Sequence, residues 1–421
     1  MSTATLKKLS QKFSLNAGTV ICVFFISLFF VQYIAPYFWA TIDSKLKSYE
    51  NLLILTSGLA FLGWLIALFA VRRGYIPTGK IFVFRVPKVV DQLLEVCAWM
   101  LFIYSALALS GKSIMDAPLF VALSGNSPDK IFQSRVSFDL ARTGTDLIYV
   151  YIQNFLSIII IPFYVLRDAH KNTKYFWFKL LIVIVILSFP LAKSNGLKVF
   201  LPLLSYFFFT FRFKRFFAML GIAIMHLLLM YFLFFGAQRS EFLDFNPPDT
   251  STSNFLIGSK GVAGMLNRIL WIPYITGVKW FEYSEVENLP AHKPVVSNRS
   301  LALLIHGEYR QIEKQVFSFQ FGLPPDMLIG FANTTYFVDS YVKYSMASFF
   351  FVIFALPLFL VFCAQRIALP YVHLLSYFLL FLTANSAFSF FILGGWIFLI
   401  LASVDVSYGK FSLKFGMSKK K

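Results

Sequence analysis

Charged side chains are scarce in this chain, in which only 14% of the residues are Asp, Glu, Lys or Arg and 58% are hydrophobic. A water-soluble domain is about a quarter charged and about half apolar, so the composition argues against an ordinary soluble protein. The apolar residues fall in repeated runs long enough to cross a hydrocarbon core of ~30 Å. The sequence therefore predicts an all-α polytopic membrane protein, because helices satisfy their own backbone hydrogen bonds in lipid.

Cysteine is nearly absent, and the three cysteines, Cys22, Cys97 and Cys363, all lie within apolar runs. The chain also has no C-x-x-C, H-E-x-x-H or G-x-x-x-x-G-K-[ST] sequence. These absences argue against a disulfide framework, a metalloprotease and an ATPase. We expect three buried thiols, and neither a metal nor another cofactor.

About ten transmembrane helices are predicted, all within one integral membrane domain that covers residues 1–421. The first apolar run is not followed by a small-x-small cleavage site, so it is interpreted as a retained helix and not as a signal peptide. The predicted spans are 17–38, 51–71, 91–110, 147–166, 177–192, 198–211, 216–236, 344–364, 368–385 and 387–404.

The lysines and arginines are distributed unequally between the two sets of connecting segments. The set that includes both termini holds 21 Lys and Arg against two acids, Asp168 and Asp405, whereas the other set holds 17 against 16. Basic residues concentrate in cytoplasmic loops, so we expect both termini in the cytoplasm of a bacterial inner membrane. The high pI then reflects topology and gives no support for nucleic-acid binding.

The stretch PLAKSNGLKVFLP, residues 190–202, places Lys193 and Lys198 on the outer side in this topology, against the charge trend. In one interpretation both lysines extend to lipid head groups. In the other they form the cationic edge of an outward-facing site for an anionic head group. The run from Val199 to Phe211 is short for a span and contains Pro202, so we expect a tilted or broken helix beside a cavity.

A large external loop of 107 residues, 237–343, joins the seventh and eighth spans. Its apolar positions Leu266 to Ile272 predict an interfacial amphipathic helix that Pro273 ends. A second short helix is expected after Ser297 or Asn298, and it would place His306 and Arg310 on one face. The loop is too long for a simple connection, so it is the expected location of a site.

Candidate site residues in the external segments are cations and two proton acceptors. Guanidinium groups bind phosphate bidentately, although a lone arginine in a loop is usually just solvated. His306 and Asp339 are alternative catalytic bases, but they also have structural interpretations, as a hydrogen-bonded histidine and as a helix N-terminal charge. His226 and His373 lie in spans as polar contacts between helices. The candidate arginines are Arg142, Arg239, Arg268, Arg299 and Arg310, of which Arg239 is favoured because it lies at a membrane boundary.

Three stretches resemble the O-antigen polymerase family of bacterial polysaccharide assembly. They are AKSNGLKVFLP, the post-span arginine in GAQRSEF, and NTTYFVDSYVKYSMASFF before the next span. The family's arginine-x-glycine signature is not present in full. The resemblance implies a metal-independent glycosyltransferase in lipopolysaccharide biosynthesis that joins undecaprenyl-diphosphate-linked oligosaccharide repeat units at the periplasmic face. Its implied partners are that substrate, membrane lipids and a chain-length regulator protein.

Three other classes of protein remain open. An O-antigen ligase would share the architecture and the lipid diphosphate donor. A transporter or flippase of lipid-linked sugars would be expected to have ionisable residues in mid-span or an internal repeat. A structural membrane protein would give no role to the large external loop.

Overall fold

The computed structural model describes most of the apolar segments and part of the large external loop. The described residues are 18, 20–24, 26–29, 31–38, 42–73, 82–109, 114–127, 130–131, 133–135, 145–191, 195–237, 272–289, 293–296, 302–303, 306–320, 322, 324, 332, 334–344, 346–382, 394–409 and 412–415. Over these ranges the chain is mostly helical, and six helices are long and apolar enough to cross a membrane. By helix length and composition, the prediction of a helical membrane protein is confirmed.

The described elements are numbered here in chain order. The first helices are α1 (Val20–Phe38), α2 (Lys47–Arg72), α3 (Lys88–Leu109), α4 (Pro118–Leu123), α5 (Thr145–Phe155), α6 (Ile161–Lys171), α7 (Phe176–Ser188), α8 (Leu197–Phe209) and α9 (Phe213–Ala237). They are followed by α10 (Ile272–Val286), α11 (Ile312–Gln320), α12 (Tyr336–Lys343), α13 (Met346–Arg366), α14 (Leu375–Leu382) and α15 (Ile397–Ser403). The strands are β1 (Phe82–Val86), β2 (Val295–Val296), β3 (Glu308–Tyr309), β4 (Val404–Tyr408) and β5 (Ser412–Phe415).

Helices α2 and α13 pack closely because a glycine lies between them. A Cβ placed on Gly63 would lie 2.0 Å from the carbonyl oxygen of Ile353. Lipid tails give apolar helices no hydrophobic reason to associate, so close backbone approach at small residues is a main source of contact energy in membranes. Gly18 makes a similar approach to Ala364, which brings α1 and α13 together.

An ion-pair network joins α3, α6 and α7 at one end of the bundle. Arg167 pairs with Asp91 at 2.8 Å and also with Glu95. Lys179 pairs with Glu95 at 2.7 Å and with Asp168 at 2.5 Å. Two cations and three carboxylates are paired where the three helices meet, which explains acids at the start of an apolar helix.

The described helices of the large loop pack on the membrane helices. The hydroxyl of Tyr274 in α10 donates to Glu50, a fully buried residue in α2, at 2.5 Å. Deeper in the bundle, Trp64 Nε1 donates to the hydroxyl of Tyr336 in α12 at 3.1 Å. The loop is therefore anchored to the bundle and is not an independent domain over these residues.

Two small sheets are present that the sequence analysis did not predict. In the first, β1 lies between β4, which is parallel to it, and β5, which is antiparallel. β1 belongs to the connection after α2, and β4 and β5 belong to the C-terminal segment, so pairing requires both segments to lie on the same side of the membrane. The charge distribution also assigns these two segments to one side. The second sheet pairs β2 with β3.

Several sequence predictions differ from the structure. Pro273 lies in the first turn of α10, where its missing N–H is tolerated, so it begins this helix and does not end one. The predicted interfacial helix itself, Leu266 to Ile272, lies outside the described residues except for Ile272. Cys22 and Cys363 are buried as expected, but Cys97 is exposed on α3.

Candidate functional site

The segment that carries Lys198 is a hairpin of two short helices, α7 and α8. Helices α7 and α8 have 13 residues each, or ~20 Å, which is ~10 Å short of a hydrocarbon core. The start of α8 contacts the middle of α9, because a Cβ on Gly196 would lie 2.6 Å from His226 Nε2. The start of α8 in this hairpin of α7 and α8 therefore lies beside the middle of α9, and the position of the turn at the outer boundary stays a prediction.

Lys198 is buried at the tip of this hairpin, with 8% of its surface exposed. Its ammonium group donates to Asn154 Oδ1 at 3.2 Å and to Ser157 Oγ at 3.4 Å, and both acceptors are neutral. The arrangement differs from snorkelling, in which the amine extends to head groups. Ionisable residues buried between apolar helices are rare, and they commonly mark a substrate or ion pathway.

The backbone that receives Lys198 is irregular. Residues Leu156–Ile160 form a π-helical turn between α5 and α6, and Ser157 lies within it. Single π-helical turns inside long helices occur frequently at functional sites. Gly394, whose φ is +106°, packs against this turn. A Cβ added to Gly394 would lie 2.4 Å from the side chain of Ile159 and 3.0 Å from that of Phe155. The π-helical turn is therefore tightly packed on the side away from the hairpin.

Helix α4, from the connection between α3 and α5, covers the hairpin tip. The backbone N–H of Leu119 donates to the carbonyl oxygen of Phe189 at 3.2 Å. The rings of Phe120 and Phe189 lie edge to face, with their centroids 5.5 Å apart. These contacts attach α4 to the residue that follows α7.

A second polar cluster is formed by α11 and α12. Lys343 pairs with Asp339 at 2.7 Å and with Glu313 at 2.5 Å, and its amine lies 5.4 Å from the centre of the Trp280 ring. Asp339 and Lys343 are each 3% exposed, and among the described residues Asp339 Oδ2 has no hydrogen-bond partner. Asp339 lies in the first turn of α12, as its structural interpretation predicted.

Neighbouring charges and burial shift the pKa values of this cluster in opposite directions. Burial raises the pKa of Asp339, and although the Lys343 ammonium lowers it, the pKa stays above its usual value. Burial lowers the pKa of Lys343, but the two carboxylates outweigh burial, and the net shift is upward. Because it is enclosed and ion-paired, Asp339 could meet a sugar hydroxyl only if the cluster opened.

His306 and Arg310 do not share a helix face, so that prediction is wrong. His306 is exposed and has a φ of +52°, and Gly307 N donates to Ala302 O at 2.8 Å. This is the left-handed ending typical of a helix, and β3 intervenes before Arg310. The Arg310 guanidinium binds Glu308 at 2.5 Å and Glu287 at 3.2 Å. Its hydrogen bond to Glu308 raises the pKa of Arg310.

The structure gives no described position for five of the predicted binding residues. They lie outside the described residues: Lys193, Arg142, Arg239, Arg268 and Arg299.

Sequence reasoning missed several participants in these two clusters, Ser157 among them. Lys343 and Glu313 were counted only as loop charges, although the spacing of Asp339 and Lys343 at i and i+4 is a recognisable ion-pair signal. Asn154 is one neutral amide in an apolar run, and its role depends on a contact across 44 positions of sequence. No sequence signal would have found that contact.

Among the described residues, no group of three or more His, Cys, Asp or Glu side chains is arranged to hold a metal ion. Comparison of the chain with protein families, with curated proteins and with solved structures gave no match. The functional argument therefore depends on the site itself.

Proposed function

We propose that this protein polymerises undecaprenyl-diphosphate-linked oligosaccharide repeat units into O-antigen or a related surface polysaccharide. The observation that supports the proposal best is the buried ammonium group of Lys198, which donates to Asn154 and Ser157 between the apolar helices. A fixed cation there suits the diphosphate of a substrate that remains anchored in lipid. Fixed positive charge near a leaving diphosphate stabilises the transition state, because no solvent has to reorganise.

In this proposal the enzyme lies in a bacterial inner membrane with both termini in the cytoplasm and residues 237–343 in the periplasm. The hairpin of α7 and α8 enters and leaves on one side, so it does not change the sidedness of any later segment. Lys193 and Arg239 complete the diphosphate site. His306 and Asp339 stay alternative bases for the acceptor hydroxyl. His306 is the accessible one of the two, because Asp339 is enclosed by its ion pair.

The test replaces Lys198 in a strain that lacks the native copy. Lys198→Met should lower the rate of chain extension by ~10²-fold, the typical cost of removing one such donor, and single repeat units should accumulate on the carrier lipid. Lys198→Arg should retain part of the activity, because it keeps the charge. Lys174→Met is the matched control, because Lys174 is exposed. A normal ladder of polysaccharide lengths in Lys198→Met, at normal protein levels, would contradict the proposal.

A flippase or transporter of lipid-linked sugars is the second candidate, and the hairpin favours it. Half-length helices that meet inside the membrane are typical of transporter substrate sites, and His226 and Lys198 are buried ionisable groups at this hairpin. Purified protein in proteoliposomes separates the two functions. Longer glycan chains on the carrier lipid support the polymerase, whereas movement of unextended repeat units between leaflets supports the transporter. Transfer to a lipid A core in place of another repeat unit would identify a ligase.

A further inference from the structure

The N-terminal end of α8 is a buried, electropositive helix terminus. The helix has 13 residues, and its N-cap, Gly196, has no side-chain capping hydrogen bond, although the N–H groups of Lys198 and Val199 donate to backbone carbonyl oxygens. Aligned peptide dipoles give a helix N-terminus about half a positive charge, which attracts anions. Within a bilayer this potential is screened less than in water. A helix terminus alone does not define a site, and here a buried histidine gives the second observation.

His226 directs an unsatisfied nitrogen at this helix terminus. The residue is 5% exposed, and among the described residues its Nε2 has no hydrogen-bond partner. Nε2 lies against Gly196, where an added Cβ would approach it to 2.6 Å. A buried polar group without a partner costs ~1–3 kcal/mol, and such an atom in a folded protein calls for a physical reason. Close packing explains the glycine, but it does not satisfy the nitrogen.

Lys198 adds a full positive charge to the same turn of α8. Its side chain contacts the π-helical turn, and His226 contacts Gly196 and the ring of Phe200, whose centroid is 5.5 Å from that of the imidazole. The first turn of α8 therefore carries a cation directed at the π-helical turn, and on its other face it meets a nitrogen from α9.

We propose that the N-terminal end of α8 binds a phosphate group, with His226 Nε2 as a donor and the charge of Lys198 in the same turn. Imidazole donates from Nε2 either as the cation or as the tautomer that carries its proton there. This inference rests on the proposed function and extends it, because it names His226 as a contact for the lipid diphosphate. The same chemistry would accept free pyrophosphate, so the experiment includes both.

The experiment measures binding of undecaprenyl diphosphate, and separately of inorganic pyrophosphate, to the full-length protein in phosphatidylcholine nanodiscs. His226→Phe should weaken binding by about tenfold or more, the loss of one charge-assisted hydrogen bond. His226→Gln keeps a donor nitrogen and should retain most of the affinity, which distinguishes a lost contact from misfolding. Gly196→Ala should also weaken binding, because its methyl group would displace the imidazole.

Two matched controls come from neighbouring positions. His373→Phe removes another buried histidine whose Nε2 has no described partner, but its Nδ1 contacts Ser205 Oγ at 2.9 Å near the other end of α8. Gly221→Ala adds a methyl group on α9 where nothing lies within 4 Å. Both should bind as the wild type does. Tighter binding of the lipid than of pyrophosphate identifies a head-group site, and equal binding identifies a site for the phosphate alone.

Unchanged affinity in both His226→Phe and Gly196→Ala, with folded protein, would overturn the inference even if the wild type polymerises repeat units. Weakened binding in these variants, in a wild type that never extends chains, would support the phosphate site and reject the polymerase. The two proposals can therefore fail separately.

Discussion

Replacing Lys343 by Met tests whether a shared cation stabilises the cluster of Asp339 and Glu313. Methionine keeps most of the side-chain volume but removes the ammonium group that pairs with both carboxylates. Removing one partner of a buried ion pair costs ~3–5 kcal/mol, because the remaining charge is buried without compensation. Glu313 retains 22% exposure of its side chain and can be hydrated, so we expect a loss near the lower end, ~3 kcal/mol.

The loss of stability in Lys343→Met should depend on pH, and the direction of this dependence follows from the pKa of Asp339. The pKa of this carboxyl is raised in the folded protein, first by burial. A group with a raised pKa favours folding below its unfolded pKa, and this contribution is lost as the pH rises through the folded pKa. Lys343→Met removes the main effect that lowers this pKa. The stability difference from the wild type should therefore grow as the pH is raised from about 4 to about 8.

Thermal unfolding of the purified protein in detergent, followed by tryptophan fluorescence across this pH range, measures the effect. Adding Asp339→Asn to Lys343→Met should restore part of the lost stability at pH 8, because it removes the buried negative charge. Lys293→Met, at an exposed position of the same loop, is the control. If Lys343→Met unfolds at the wild-type temperature at pH 8, the lysine does not neutralise the cluster.

Two further predictions concern packing and topology. Gly63→Ala should lower the midpoint of thermal unfolding markedly, because its Cβ would lie 2.0 Å from Ile353 O. Gly58→Ala on the same helix should have little effect, because a Cβ there meets nothing within 4 Å. Equal midpoints for the two variants would refute the close contact of α2 and α13. Alkaline phosphatase fused after Asn288 should be active and the same enzyme fused after Arg73 inactive; the reverse activities would invert the topology.

The membrane class and most helix positions could be predicted because they depend on local composition. Long apolar runs can be identified directly in the sequence. The shortness of α8 could also be predicted, from Pro202 and the length of the apolar run. The contact of Gly196 with α9 could not be predicted, because it depends on the packing of α8 against a helix that follows it in the chain. The enclosure of Asp339 similarly depends on α11, which belongs to a different part of the loop.

The sheet of β1, β4 and β5 has a consequence for the order of assembly. β1 follows the second helix, whereas both of its partners lie at the C-terminal end of the chain. Contacts between such distant segments close a very long loop and form slowly. Because β4 and β5 are synthesised after α15, the backbone groups of β1 lack these partners while the helices between them enter the bilayer. Ending the chain before Val404 would remove both partners, and β1 would remain an open template for pairing with another chain.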